Sequence, residues 1–550
     1  MTDQEDTRES DMERIEKTIG EYITENAGKY GDRTAIEFPG FTCSFRELDQ
    51  ITDLLAVRLL DEWGIRKGTH VGIWSVNTPE FLFLFLAMIK MGAVPVPLNT
   101  CYQEEEISGI LNSMDIRVLF YGSGWKDLVY EELLPGIRRL SPGVEAFVPI
   151  AGLSRGEHLS LSDFPKGAKS EGPAACKRLR EEVRSRDVAC IMMTSGTTRL
   201  PKGVMLTHYN IVNDGLEASA CMHWSDRDKN LLVLPFFHCF GLITGAVGSV
   251  LNGMQMFMLP YFSTAAVWDA IENRGCTVLN GVPSVFLALI RKPEYKDRRS
   301  DNLTSGIIGG SVLRVEDYLD ICSHFPKMHL QPSYGMTEGS PSVSFPDWDT
   351  PLPKKAQSCG KLMDGIEGRI RDIHTGESLP PGQEGELCLR GVNIMEAYYN
   401  MPEETKEAFT SDGFLRTGDI GYFNEEGELF ISGRLKEMII RAGENISVVE
   451  IENRILDSGL VKEVKVVGVP SDFRQEEIAA LVVPADPERF EEEALRRYLA
   501  AHLAVFKIPD MIFTVERLPY TGSGKIDLKA AKELAERLLA AEKIKNKNKK

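Results

Sequence analysis

The sequence predicts an α/β protein: a large amino-terminal domain of α/β sheets with a β-rich subdomain, then a small α+β domain at the carboxyl end. Strand and helix patterns alternate over residues 30–150 and again over 185–345, the signature of largely parallel sheets. Around 360–432 the pattern changes to short strands separated by Gly/Pro turns. From about Glu437 a compact unit begins, roughly a hundred residues long and of ordinary small-domain size. The boundary is placed between 435 and 436, giving domains 1–435 and 436–550.

Ser44 caps an amphipathic helix over Phe45–Trp63, Val71–Ser75 is a strand, and Pro79 opens a helix containing the apolar run Phe81–Ile89, which Lys90 ends. Val94–Leu98 and Val118–Tyr121 are short strands. In the second alternating region strands are expected at 188–193, 230–234, 277–280 and 306–309, with helical spacing over Val204–Ala220. The carboxy-terminal unit reads as strands near 437–441, 463–469 and 478–484, helices near 448–457 and 490–503, and a final strand–loop–helix. The lysine/asparagine tail 543–550 is expected to be disordered.

At 550 residues the chain exceeds one ordinary core. Its 43% apolar and 26% charged residues are those of a soluble globular protein. The net charge of −18 excludes broad electrostatic binding to nucleic acid. The apolar run is far shorter than the ~20 residues that cross a bilayer, and the acidic start Met1–Glu16 is no secretory signal. Ten cysteines without a CxxC pair, and no His cluster at ligand spacing, suit a reducing cytoplasm and no zinc site. Cys239 reads as a buried structural thiol.

Thr194-Ser195-Gly196-Thr197-Thr198-Arg199-Leu200-Pro201-Lys202-Gly203 follows a buried strand. Its backbone N–H groups, hydroxyls and one lysine suit phosphate oxygens. It is not a Walker A loop, because Pro201 precedes Lys202 and Gly203 follows it; alone, such a run reads first as a flexible linker. Tyr334-Gly335-Met336-Thr337-Glu338 sets an aromatic, a hydroxyl and a hard carboxylate suited to Mg²⁺ around one glycine. Thr417-Gly418-Asp419 places a carboxylate on a turn, where it can accept from two ribose hydroxyls. Gly433-Arg434-Leu435-Lys436-Glu437 marks the domain junction, and Thr521-Gly522-Ser523-Gly524-Lys525 holds a lysine in a glycine loop. No GxSxG elbow is present. Singly, each segment could be a turn; their joint order is far more specific.

With these motifs in this order the chain resembles the adenylate-forming superfamily of acyl-CoA synthetases, adenylation domains and luciferases, over about residues 20–530. The resemblance implies that a carboxylate attacks the α-phosphate of Mg-ATP, giving an acyl-adenylate and pyrophosphate, and that a thiol then displaces AMP. It implies that Thr194, Ser195, Gly196, Thr197, Thr198 and Lys202 hold the β- and γ-phosphates. Gly309, Gly310 and Ser311 would flank adenine with Tyr334 and Gly335, Thr337 would meet the α-phosphate, and Glu338 would bind Mg²⁺. Asp419 and Arg434 would fix the ribose. Lys525 would bridge the carboxylate and α-phosphate, an electrostatic contribution of several kcal/mol. Lys436 would be the hinge of a mobile carboxy-terminal domain, and the Arg441–Ser447 loop with Gly443 would serve the thiol step. His238 would position the carboxylate or gate the thiol channel. The family usually has glycine where Arg199 stands, which implies a differently bent loop or added charge beside the triphosphate.

The leading expectation is a carboxylic acid–CoA ligase using ATP, Mg²⁺ and coenzyme A on a small carboxylic acid, with no nucleic acid partner and a homo-oligomer left open. Arg441–Ser447 and Gly391–Tyr399 resemble CoA ligases more than peptide-synthetase domains. The alternatives are a stand-alone adenylating enzyme that loads a carrier protein and, in another class, a nucleotide-binding pseudoenzyme, suggested only by Arg199. The pocket segments Phe236–Gly241, Val282–Phe286 and Met336–Ser340 are mostly apolar or small, favouring a fatty, alicyclic or aromatic acid; a betaine-type acid stays open through the likeness of 441–453 to carnitine-type ligases.

Overall fold

The computed structural model describes residues 14–154, 156–164, 168–194, 201–311, 313–441, 444–446, 448–471, 475–503, 507–520 and 526–547. The chain divides into two compact units. One comprises Met1–Gly368, Leu389–Leu415 and Gly427–Leu429; the other comprises Arg369–Cys388, Arg416–Glu426 and Phe430–Lys550.

The first unit is organised by sheets whose strands come largely from separate βα units. In the nine-stranded sheet, Thr34–Phe38, Gln255–Met258, Lys229–Leu232, Val278–Leu279, Ser305–Gly309 and His329–Gly335 lie side by side and parallel. A second sheet, of four parallel strands, runs Val94–Pro97, His70–Trp74, Val118–Tyr121, Ala146–Pro149. Parallel strands need crossovers, and helices supply them. The helix Phe45–Trp63 starts at Ser44 in a capping box with Glu47, as its sequence predicts. Thr78 caps the helix Pro79–Met91, and Gly92 ends it at φ 73°, a left-handed conformation that costs glycine little. Every residue of that helix is buried, so its lack of a polar face reflects a wholly internal helix.

Burying the helix also buries Lys90, which is 0% exposed. Its ammonium lies 2.6 Å from Asp49 and 2.7 Å from Asp53, both on Phe45–Trp63, and also donates to the Asp49 carbonyl at 3.0 Å. One buried cation thus ties two helices together through two carboxylates.

In the second unit, Gln475–Pro484 lies between Ile439–Arg441 and the long strand Val461–Ser471, with Met511–Thr514 also paired to it. Its side chains alternate between two cores: Ile478, Ala480 and Val482 face the helices Val448–Asp457 and Glu492–His502, while Ala479, Leu481 and Val483 meet Ala531 and Ala535 of the last helix. The β-rich segment is confirmed as the four-stranded sheet Ile366–Arg371, Gly385–Gly391, Leu415–Phe423 and Leu429–Arg434.

Two local expectations are corrected. Residues 204–207 are strand, not helix: Lys202–Thr207 pairs antiparallel with Val188–Thr194, and the helix His208–Cys221 begins only after Thr207 caps it. The apolar spacing of the segment is compatible with both forms, and long-range pairing decides. Of the tail 543–550, residues 543–547 are not disordered but lie in the helix Leu528–Lys547. Alanine, leucine and lysine are good helix formers, and Ala531 and Ala535 anchor the preceding turns in the core.

Candidate active site

The antiparallel strands Val188–Thr194 and Lys202–Thr207 flank the segment expected to hold phosphate. Thr194 and Lys202 are register partners, and the Thr194 hydroxyl donates to the Lys202 carbonyl at 3.4 Å. Ser195, Gly196, Thr197, Thr198 and Arg199 lie outside the described residues, as do Gly443 and Lys525.

The second strand of the hairpin carries a third, Ala397–Tyr398, with Val204 opposite Tyr398. That pairing brings Tyr398 into the site. The Lys202 ammonium sits 4.2 Å from the centroid of its ring, and its hydroxyl donates to Glu338 Oε1 at 2.8 Å. Burial, with the Glu338 charge close by, pushes the Tyr398 phenol far up, so it stays a proton donor. Lys202 and Glu338, from motifs more than a hundred residues apart, are therefore joined by one tyrosine. Sequence reasoning picked out Gly391–Tyr399 as a segment but gave Tyr398 no role; only the cross-strand pairing does.

The Glu338 turn is itself held rigidly. Glu338 accepts the Met395 amide at its carbonyl, 2.9 Å, and Asn393 donates to the Gly339 and Ser342 carbonyls, both at 2.8 Å. Asn210 in turn donates to the Val392 and Ile394 carbonyls at 2.8 and 2.9 Å. Gly335 is required by close approach: an added Cβ would lie 2.0 Å from the Pro341 carbonyl oxygen.

Gly309, Gly310, Ser311 and Tyr334 meet at the carboxyl ends of two adjacent parallel strands, where open α/β sheets place ligands. Gly309 is opposite Ser333, one residue before Tyr334. Gly310 has φ 83°, a conformation that disfavours any side chain, and the edge at Gly310–Ser311 is exposed. Val282 packs beside it, its Cγ1 3.3 Å from where a Gly310 Cβ would stand.

Thr337 is half-buried with its hydroxyl 3.4 Å from Cys239 Sγ. Cys239 is thus a half-exposed thiol at the site, not the buried structural one expected, because it starts the turn into the π-helix Phe240–Val247 and does not pack beneath it. His238, half-buried beside Phe237 at 4.4 Å between ring centroids, precedes it. Asn77, 2% exposed, clamps this loop by donating to the Leu234 carbonyl and accepting from the Phe236 amide, both at 2.9 Å. Sequence reasoning had no signal for Asn77, whose partners lie more than 150 residues away.

In the second unit Asp419 is 4% exposed, and Arg434 Nε lies 2.9 Å from its Oδ1. Thr417 fixes the turn, donating to the Leu387 carbonyl at 2.8 Å and accepting from the Asp419 amide at 3.0 Å. The two residues expected to hold ribose are therefore neighbours. Lys436 lies in the 3₁₀ turn Leu435–Glu437.

Among the described residues no group of three or more His, Cys, Asp or Glu could hold a metal. Glu338 offers a single carboxylate, which fits a cation that takes its remaining ligands from phosphate oxygens and water, the usual habit of nucleotide-bound Mg²⁺.

Comparison with known proteins identifies the family. The chain matches the AMP-binding enzyme family over residues 23–399 and the AMP-binding enzyme C-terminal domain over 450–525. It is 33% identical over 558 residues to the acyl-CoA ligase sidI of Aspergillus fumigatus, covering 97% of this chain and 94% of that protein. It is 31% identical over 552 residues to the human mitochondrial medium-chain acyl-CoA ligase ACSF2, covering 95% and 88%. The crystal structure of ATP-bound MatB from Rhodopseudomonas palustris superposes with a TM-score of 0.81 at 25% identity, over 95% of this chain and all of that one. With the family matched over both of its parts, the chain belongs to the AMP-binding enzymes, the adenylate-forming superfamily, and within it is of the acyl-CoA ligase kind.

Proposed function

We propose that this AMP-forming acid–CoA ligase activates a medium-length apolar or aromatic monocarboxylic acid. The observation that carries the proposal is the apolar wall beside His238 and Thr337. Leu234, Val285 and Phe286 share one buried cluster with Ile308, and Phe240 and Val282 pack against it. Neither Phe236–Gly241 nor Val282–Phe286 contains an acidic side chain that could receive a betaine cation. The name of the human relative, a medium-chain acyl-CoA ligase, points the same way.

In the first step the acid's carboxylate oxygen bonds to the α-phosphorus of ATP and the bond to pyrophosphate breaks. Lys202 and the loop hydroxyls Thr194, Ser195, Thr197 and Thr198, with the Gly196 amide, hold the departing phosphates. Thr337 holds the α-phosphate, Gly309–Ser311 and Tyr334 flank adenine, and Asp419 with Arg434 holds ribose. Glu338 would hold Mg²⁺, which supplies neutralisation of phosphate charge. Lys525 carries positive charge to the bond being formed, and His238 orients the acid. In the second step the CoA thiolate attacks the acyl carbon and AMP leaves, with Lys436 as the pivot of domain 436–550 and the loop containing Gly443 beside the thiol.

The test is acid-dependent pyrophosphate release across straight-chain acids from acetate to palmitate and across benzoates, with CoA or a phosphopantetheinylated carrier as acceptor. Turnover is expected to peak at medium-length or aromatic acids and to need CoA for thioester formation. Preference for charged or betaine acids would overturn the substrate class; carrier loading without CoA turnover would favour the stand-alone adenylating enzyme.

Tyr398 supplies a narrower prediction. Tyr398→Phe keeps the ring beneath Lys202 but removes the donor to Glu338, a hydrogen bond to a charged group worth ~1.5–3 kcal/mol. The variant is expected to need about tenfold more Mg²⁺ for calorimetric ATP binding, with binding of ATP alone unchanged. An unaltered Mg²⁺ requirement would remove Tyr398 from this role.

A further inference from the structure

The amino ends of the same parallel strands border a cavity of about 820 Å³. Asp228, Ser305 and His329, which precede or begin three of the strands, line it, whereas Gly309 and Tyr334 lie at the opposite ends. Tyr334 lies five positions beyond His329, roughly 16 Å at the usual strand rise. The cavity is therefore separate from the site described above.

Its lining includes the apolar Met222, Phe325 and Met328, with Leu352 at the rim, and one buried cation, Lys355. Lys355 is 2% exposed. Its ammonium has one hydrogen-bond acceptor, the Trp348 carbonyl at 2.7 Å, and among the described residues no carboxylate lies within ion-pair distance. A buried ammonium without a counter-ion is costly, and burial pulls its pKa down. Neither of the two acids on the lining lies within ion-pair distance, although the Asp349 charge offsets part of the effect of burial from further away. Asp228 is engaged by Ser225 and Thr277, and Asp349 is exposed at the rim. Lys327, also on the lining, is paired with Asp301 at 3.0 Å. Above Lys355 the Trp348 ring is stacked between His223 and His329, each 4.2 Å away, giving a rigid aromatic wall.

We propose that this cavity is an accessory binding site for a small carboxylate with an apolar body. The carboxylate meets the Lys355 ammonium, and the apolar body lies against Trp348, Phe325 and Met328. A bare anion would satisfy the lysine alone and leave the apolar wall uncovered, so the site distinguishes the two.

Titration calorimetry of the full chain with octanoate, benzoate and inorganic phosphate tests the proposal, with Lys355→Met and Leu352→Trp as variants. Leu352 is 41% exposed on the rim, so tryptophan there obstructs the cavity without burying a polar group. Wild type is expected to show an octanoate or benzoate site that either variant weakens at least about tenfold, the loss appropriate to a charged hydrogen bond. Acid-dependent pyrophosphate release is expected to keep its KM in both variants, which separates this site from the catalytic one. Should Lys355→Met fail to fold, Leu352→Trp decides. Carboxylate binding unchanged in the folded variants, no carboxylate site beyond the catalytic one, or phosphate bound as tightly as octanoate would each overturn the proposal.

Discussion

Lys525→Ala is expected to slow acid-dependent pyrophosphate release by about 100- to 1000-fold, while thioester formation from supplied acyl-adenylate and CoA stays within a few-fold of wild type. The two half-reactions differ in their charge demand. In the first, an anionic carboxylate approaches an anionic α-phosphate, and a positive group aimed at that pair stabilises the transition state selectively. In the second, the acyl carbon is already activated and AMP departs, so the same lysine has little left to neutralise. The residues on either side of its loop are anchored: Tyr520 and Ile526 form a β-bridge, and the Tyr520 hydroxyl donates to Glu463 at 2.9 Å. Alanine is therefore expected to remove the charge without loosening the fold. Rapid-quench measurement of each half-reaction checks it, and equal losses in both steps would deny the lysine its assignment to adenylation.

The largest stability effect is expected at Lys90. Replacing it by methionine leaves Asp49 and Asp53 facing each other without their cation, in a position where Lys90 itself is wholly buried. Breaking a buried ion cluster from one side costs about 3–5 kcal/mol, much of it the penalty of stranded charge. A clear fall in the urea midpoint of the first unfolding transition is the expected result. Replacing all three groups together, as Lys90→Met with Asp49→Asn and Asp53→Asn, is expected to recover part of the loss, since no unpaired charge then remains. A single variant as stable as wild type would show that the three charges contribute no net stability.

Lys90 also shows what the sequence conveys and what it conceals. A lysine ending an apolar run reads as the charged end of a helix, and Pro79 marks where that helix opens, because helix starts depend on residues a few positions away. Its two carboxylate partners lie 37 and 41 positions upstream, on a different helix, and no local pattern joins them. The same division separates Ser44–Glu47, a cap legible in four residues, from residues 204–207, whose strand conformation is settled by Val188–Thr194 and Tyr398.

Within the site the division is equally clear. The order of the glycine- and hydroxyl-rich segments identified the superfamily, because phosphate, ribose and metal each demand particular atoms that few residue types provide. Lys202, Glu338, Asp419 and Arg434 were legible as chemistry for that reason. Their arrangement was not. Tyr398 between Lys202 and Glu338, Asn393 under the Glu338 turn and Asn77 behind His238 act through partners distant in the chain. By itself, the sequence determined the α/β class, the local caps and the kinds of atoms available to a nucleotide and an acid. Only the tertiary structure decided which of those atoms are held, and by what, since a hydrogen bond or a buried charge takes its energy from distance and desolvation, and both are set by packing between distant segments.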